Sequence, residues 1–356
     1  MIVSLVIKNF KSIKKLELQL GNINILIGAN GAGKSNFIQF FELLNNIVSE
    51  NLQNYVAANG GAENFLYLGR KNSDYLYGKI SFGANVYEFF LQPTNDNNLY
   101  FKSEVIYFYG YNQIISSVST ESKLKIKAAT TEEKKVVHYV FELMQKFLVY
   151  HFHDTSITAK MRQDSDINDN RYLRRDAANL AAFLYMLKEK YPEHFRKIED
   201  TIKIIAPFFE KFNLEPLELN KERIKLEWKQ VGTDQYFNAN HLSDGTLRMI
   251  CLITLLLQPN PPDTIIIDEP ELGLHPAAIQ LLGSMIKSLA AKGKQIICST
   301  QSVTFINQFE PEDIIVVERN NGESVFKKLE KNKLNDWLNE YSLGELWEKN
   351  VLGGRP

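Results

Sequence analysis

Residues Gly28 to Ser35 read Gly-Ala-Asn-Gly-Ala-Gly-Lys-Ser, an unbroken G-x-x-x-x-G-K-S run. Such a run lets backbone N–H groups, here those of Asn30, Gly31, Ala32 and Gly33, curl around a polyphosphate. Lys34 would reach the β- and γ-phosphates, and the Ser35 hydroxyl suits Mg²⁺, with Asn36 following in the helix that begins there. Far downstream, Asp268 and Glu269 stand side by side. Asp268 is suited to hold Mg²⁺ through water, and Glu269 to orient and polarise an attacking water. Between the two motifs, Ser243 and Gly245 precede the apolar run Leu247 to Leu257. A Ser and a Gly at a helix start read either as a second anion-binding end or as an ordinary N-cap.

These residues need particular elements behind them. Ile23 to Ile27 before the glycine run reads as a strand. Asn36 to Val48 after it places Phe37, Phe40, Phe41, Leu44, Ile47 and Val48 at helical spacing. A helix starting there points its positive end at the phosphates. Asp263 to Pro270 holds three consecutive isoleucines, the mark of a strand buried on both faces of a parallel sheet. Its carboxylates lie at the C-terminal end, where α/β sheets place ligands.

The chain has 356 residues, 44% of them hydrophobic, enough for a large core and about two domains. A formal charge of −1 gives no global attraction to nucleic acid, so any DNA contact needs a local basic patch. Cys251 and Cys298 lie in apolar segments, which reads as buried thiols in a reducing compartment. Met249 to Leu257 is far too short to span a bilayer, and the N-terminal run resembles a strand rather than a signal peptide. A cytoplasmic protein with no membrane partner is expected.

Glu271-Leu272-Gly273-Leu274-His275-Pro276 follows the paired carboxylates. The order of glycine run, Leu242-Ser243-Asp244-Gly245-Thr246, carboxylates and this segment resembles the ABC ATPases. It is similar above all to their soluble RecF/OLD-like branch, whose opening strand and turn Ile7-Lys8-Asn9-Phe10-Lys11-Ser12 resembles. The resemblance implies an α/β P-loop NTPase of ABC-ATPase type. Its mixed or parallel sheet would be flanked by helices, with an antiparallel β subdomain and a helical insertion. It implies ATP and Mg²⁺ as cofactors, Lys34 and Glu269 as catalytic, and Lys11 and Ser12 near adenine and phosphates. Ser243 and Gly245 would face the phosphate loop of a second copy. Most relatives carry His where Gln301 stands, so Gln301 becomes a neutral γ-phosphate sensor. Asp244 departs from the usual Gly, and is expected to cap its own helix and point away from the phosphates. Tyr341 to Trp347 and Gly353 to Pro356 resemble a prokaryotic subgroup often encoded beside a Toprim-type protein.

Four segments follow. Residues 1–130 form a first ATPase lobe, and 131–215 a helical insertion read as starting at Thr131. Residues 216–330 form a second lobe, and 331–356 a helical tail that either closes the core or docks a partner. Residues 60–112 alternate in strand fashion, with Gln92 the nearest candidate for a Mg²⁺-directed glutamine, and Lys123, Lys125 and Lys127 alternate on a possible strand. The function implied by resemblance is an ATP-driven, head-to-tail dimer. It would switch an effector, plausibly a Toprim-like nuclease in phage defence. The alternative is a RecF-like repair or recombination ATPase that binds DNA itself. A transporter subunit is disfavoured by the atypical signature and large insert, and a non-hydrolysing scaffold by the presence of Glu269.

Overall fold

The computed structural model describes residues 1–130 and 134–355, so Thr131 and Pro356 lie outside the described residues. The chain opens with β1 (Ser4–Phe10), β2 (Ile13–Gln19) and β3 (Ile23–Ile27), then α1 (Lys34–Val48), α2 (Leu52–Ala58) and α3 (Ala62–Phe65). A meander follows: β4 (Leu76–Phe82), β5 (Asn85–Pro93), β6 (Leu99–Phe108) and β7 (Tyr111–Ser116). After α4 (Leu124–Thr130), α5 (Lys134–Gln145) and β8 (Phe147–Tyr150) come β9 (Ser165–Asp166), α6 (Leu180–Lys190) and α7 (Pro192–Ile205). Next are β10 (Phe209–Asn213), β11 (Pro216–Leu217), β12 (Asn220–Ile224), β13 (Glu227–Gln230), β14 (Tyr236–Asn238) and α8 (Asp244–Leu257). The last elements are β15 (Thr264–Asp268), α9 (Pro276–Ala291), β16 (Gln295–Thr300), α10 (Val303–Ile306), β17 (Ile314–Asn320), β18 (Glu323–Lys328), α11 (Asn335–Leu338) and α12 (Leu343–Glu348).

Two compact units result, residues 1–149 with 262–268 and 292–356, and residues 150–261 with 269–291. These cut across the sequence boundaries at 130, 215 and 330, because β8 and β15 leave their sequence neighbours to join one sheet.

The first unit carries two six-stranded sheets, antiparallel β2-β1-β4-β5-β6-β7 and mixed β18-β17-β3-β16-β15-β8. Helix α1 is apolar around most of its surface because a single core joins it to both. Phe40 stacks on Phe89 of the antiparallel sheet at 6.2 Å. Leu26, Ile266, Ile297 and Ile315 of the mixed sheet belong to the same buried cluster. The hairpin of β17 and β18 turns at Asn321 and Gly322, both at positive φ (49° and 85°), as a two-residue primed turn requires. Lys123, Lys125 and Lys127 are not on a strand. Leu124 and Ala128, buried and four apart, set the helical period of α4, and the lysines fall outside that face.

In the second unit α8 is the most buried helix, with Leu247 to Leu256 all inside. Two three-stranded sheets, β10-β13-β14 and β11-β12-β9, accompany α6 to α9.

Candidate functional site

Strands β3, β16 and β15 are parallel neighbours, with Ile27 opposite Thr300 and Ser299 opposite Asp268. That register ends all three at one level. The glycine loop after β3, Asp268 closing β15 and Gln301 just after β16 therefore emerge on one carboxyl edge. The side chain of Asp268 accepts a hydrogen bond from the Ser299 hydroxyl. Glu269 comes next in the chain with φ 40°, a conformation that residues other than glycine rarely hold.

The loop is shaped from behind. Lys34 is buried, and its ammonium donates to the loop's own carbonyls, Gly28 at 2.5 Å and Ala29 at 3.1 Å. Gly33 forms the α1 N-cap at φ 116°, and a Cβ there would overlap the Ser324 hydroxyl. Ser324 Oγ in turn donates to the Ala32 carbonyl at 2.5 Å and pairs with Ser12 Oγ at 2.6 Å. Asn36 Nδ2 donates to Ser12 Oγ at 2.7 Å. Residues Asn30, Gly31 and Ser35 remain exposed on the other side, and a Cβ on Gly31 would meet nothing within 4 Å. Loop amides, a buried ammonium and an exposed hydroxyl suit a nucleoside triphosphate. Ser35 with Asp268 is an all-oxygen pair of the kind Mg²⁺ takes.

The N-terminal turn divides its expected duties. Ser12 is built into the loop's backing, whereas Lys11, at φ 50°, donates to Gln39 at 2.6 Å and lies 5.4 Å from the Phe65 ring centre. Burial lowers the Lys11 pKa, partly offset by Glu42. Gln92 is the last residue but one of β5, and its Oε1 accepts from the Tyr100 hydroxyl at 2.9 Å.

On α8, Ser243 is the N-cap: its Oγ accepts from the Thr246 N–H at 3.2 Å and is exposed. Gly245 has no room for a Cβ, which would overlap the Gly273 carbonyl. Asp244 does not cap the helix as expected. It occupies the first turn and binds Arg162 at 2.7 Å. Arg162 also donates to the carbonyls of Thr155 (2.8 Å) and Leu242 (3.2 Å). Arg248, buried, donates to the carbonyls of Phe152 (2.9 Å), His153 (3.1 Å) and Leu272. Desolvation pulls its pKa down, against the pull of Asp244. Among the described residues no group of three or more His, Cys, Asp or Glu could hold a metal ion.

Sequence reasoning missed Ser324, Arg162 and Arg319. Arg319 donates to the Gly31 carbonyl at 3.2 Å and lines a pocket of about 250 Å³ with Asn30, Glu318 and Arg355. The Asn321-Gly322 dipeptide before Ser324 is a hairpin signal, and it alone pointed toward any of them.

A family model described as "AAA domain, putative AbiEii toxin, Type IV TA system" matches residues 23–307. Among curated proteins, the energy-coupling factor transporter ATP-binding protein EcfA of Methanocaldococcus jannaschii is 31% identical over 26% of this chain and 33% of its own length. EcfA2 of Staphylococcus aureus is 27% identical over 42% of this chain and 53% of its own. The chain thus spans about half or less of the curated relatives' lengths. Among solved structures, an SmcHead bound to the C-winged helix domain of ScpA superposes with TM-score 0.62 at 18% identity, covering 93% of this chain and 99% of that one. The Smc head domain with extended coiled coil from Pyrococcus furiosus gives 0.60 at 15%, over 95% and 98%. The fold is that of ABC-type P-loop ATPases, and ATP with Mg²⁺ is the ligand pair of that family. Among the described residues no helix is long and apolar enough to cross a membrane.

Proposed function

Because the chain belongs to the AAA-domain family whose model spans residues 23–307, we propose that it is an ATP-hydrolysing switch whose two copies close head to tail on ATP. The observation that carries this is the shared carboxyl edge of β3, β16 and β15, which puts the phosphate loop, Asp268 and Gln301 in one place. Lys34 neutralises the β/γ-phosphates, and Glu269 takes the proton of the attacking water. Bound Mg²⁺, held by Ser35 and Asp268, would supply charge neutralisation on the phosphate oxygens. Gln301 donates a neutral hydrogen bond to the γ-phosphate. The exposed Ser243 and the amide of Gly245 address the γ-phosphate held by the other copy.

Closing and opening would then gate a separate effector in a defence setting. What supports this is the family description, which reads "putative AbiEii toxin, Type IV TA system", and the resemblance of Tyr341–Trp347 and Gly353–Pro356 to a subgroup often encoded beside a Toprim-type protein. The protein is read as cytoplasmic. Glu269→Gln tests the switch. We expect it to bind ATP, stop hydrolysing, and accumulate an ATP-bound dimer in light scattering. A monomer with ATP bound would remove the head-to-tail reading.

A second reading, direct DNA binding, is favoured by the outer face of the antiparallel sheet. There Lys8 lies 5.1 Å over Tyr77 and Lys102 lies 5.7 Å over Phe90, a basic and aromatic surface of the kind that stacks bases. ATPase stimulation by short single-stranded DNA, lost in Lys8→Glu/Lys102→Glu, would favour it.

A further inference from the structure

The segment from α12 onward has no part in the chemistry above, yet it is fastened at both ends. At its start, the Gly344 N–H donates to Asn307 Oδ1 at 2.7 Å, just beyond α10. Trp347 is fully buried, and its indole N–H donates to the Gly354 carbonyl at 2.6 Å. The Gly354 N–H donates to Glu318 Oε1 at 2.9 Å. One residue's main chain is therefore held by side chains from two elements, α12 and β17.

What that main chain touches is the phosphate loop. At Gly354 (φ 60°) an added Cβ would sit 2.7 Å from Val316 Cγ1, 3.3 Å from the Val317 oxygen and 3.4 Å from Gly28 Cα. Gly28 is equally tight, since a Cβ there would overlap the Val317 carbonyl. Loop, β17 and tail meet closely here, with the Val316 side chain nearest to Gly354 and the Val317 carbonyl nearest to Gly28. Gly28 also supplies the nearer of the two carbonyls that hold the Lys34 ammonium, at 2.5 Å.

We propose that Gly354 is a positioning residue for nucleotide binding: held by Trp347 and Glu318, it fixes Gly28, and Gly28 fixes Lys34. A side chain at 354 would be strained at φ 60° and would meet Val316 Cγ1 first, shifting the tail or β17, so that the loop's first residue, whose carbonyl holds the lysine, loses its fixed backing. The proposal concerns ATP affinity in one copy and stands whether or not the switch reading does.

The test uses the full chain with a non-hydrolysable ATP analogue and Mg²⁺ in calorimetry, alongside steady-state hydrolysis. Gly354→Ala should weaken binding and raise KM about tenfold, with kcat at saturation within about twofold of wild type. Trp347→Phe removes the indole N–H and also shrinks the buried ring, a packing loss that Leu352→Ala controls for, and should weaken binding about threefold. Leu352→Ala, a cavity in the same buried segment, separates positioning from general loosening: it should lower the melting temperature while Kd stays within about twofold. Unchanged affinity in Gly354→Ala overturns the proposal, as does an equal loss in Leu352→Ala. If Gly354→Ala does not fold, Trp347→Phe decides, and wild-type affinity there overturns it.

Discussion

Around the phosphate loop the protein sets glycine backbone against two serine hydroxyls, with the Lys34 ammonium and the Arg319 guanidinium also on loop carbonyls; around the N-terminus of α8 it relies on two arginines. Only glycine fits at 33, because Ser324 and Ser12 present hydroxyls where a Cβ would go. The α8 end is instead braced by Arg162 and Arg248, whose guanidiniums collect carbonyls from residues 152–155, 242 and 272. The difference follows from what each end must present. A loop that wraps phosphate has to turn its own N–H groups outward, so its backing can donate only to carbonyls and must be thin. A helix start whose N-cap Ser243 is exposed needs no cradle, only a fixed direction, and a buried fork of five donors fixes direction well.

The largest expected effect breaks the loop side. Lys34→Ala removes the one buried ammonium at the centre of the loop and should abolish ATP binding in calorimetry. Near wild-type affinity would mean that the loop is a structural turn. Next comes the α8 side. Arg248→Leu strands three carbonyls that it now satisfies, and should cost about 3 kcal/mol of stability in denaturant unfolding. A cost below about 1 kcal/mol would show that water replaces the guanidinium and that the brace is not structural. Asp244→Asn probes the same end more lightly. Arg162 is nearly buried but Asp244 is two-thirds exposed, so the pair should be worth no more than about 1 kcal/mol. A larger loss would mean that Asp244, and not the carbonyls, orients Arg162.

The same contrast explains what could be read from the chain. The strand, glycine run and helix from Ile23 to Val48 are local, so their pattern names them, and three isoleucines before Asp268 do the same for β15. The hydroxyl pair Ser12–Ser324 joins residues at opposite ends of the chain, and no spacing rule reaches that far. Asp244 was expected to cap α8 because a carboxylate suits a helix start; Ser243 holds that place, and Asp244 turns to an arginine in a loop with no regular pattern. The lysines at 123, 125 and 127 mimic a strand's alternation, but burial of Leu124 and Ala128 outweighs it. Charge spacing alone does not set secondary structure where the apolar period disagrees.

The smallest expected effect lies at Gln301, which the proposed function reads as a neutral γ-phosphate sensor. Gln301 follows Thr300, which is fully buried and bonds its Oγ1 to the Ser302 N–H at 2.9 Å, so the position is well fixed. A glutamine amide donates one neutral hydrogen bond and cannot change charge. Gln301→His introduces a group with an ordinary pKa near 6.5. When protonated it donates a charge-assisted bond, about twice as strong as a neutral one. The sign follows: a rate gain of a few-fold should be present below the imidazole's pKa and fade as pH rises through it, between about pH 6 and 8. Wild type should be flat over that window as far as this position is concerned. Hydrolysis rates of both proteins across the range settle it. If the mutant keeps the wild-type rate and profile, Gln301 does not reach the γ-phosphate, and the sensor reading falls.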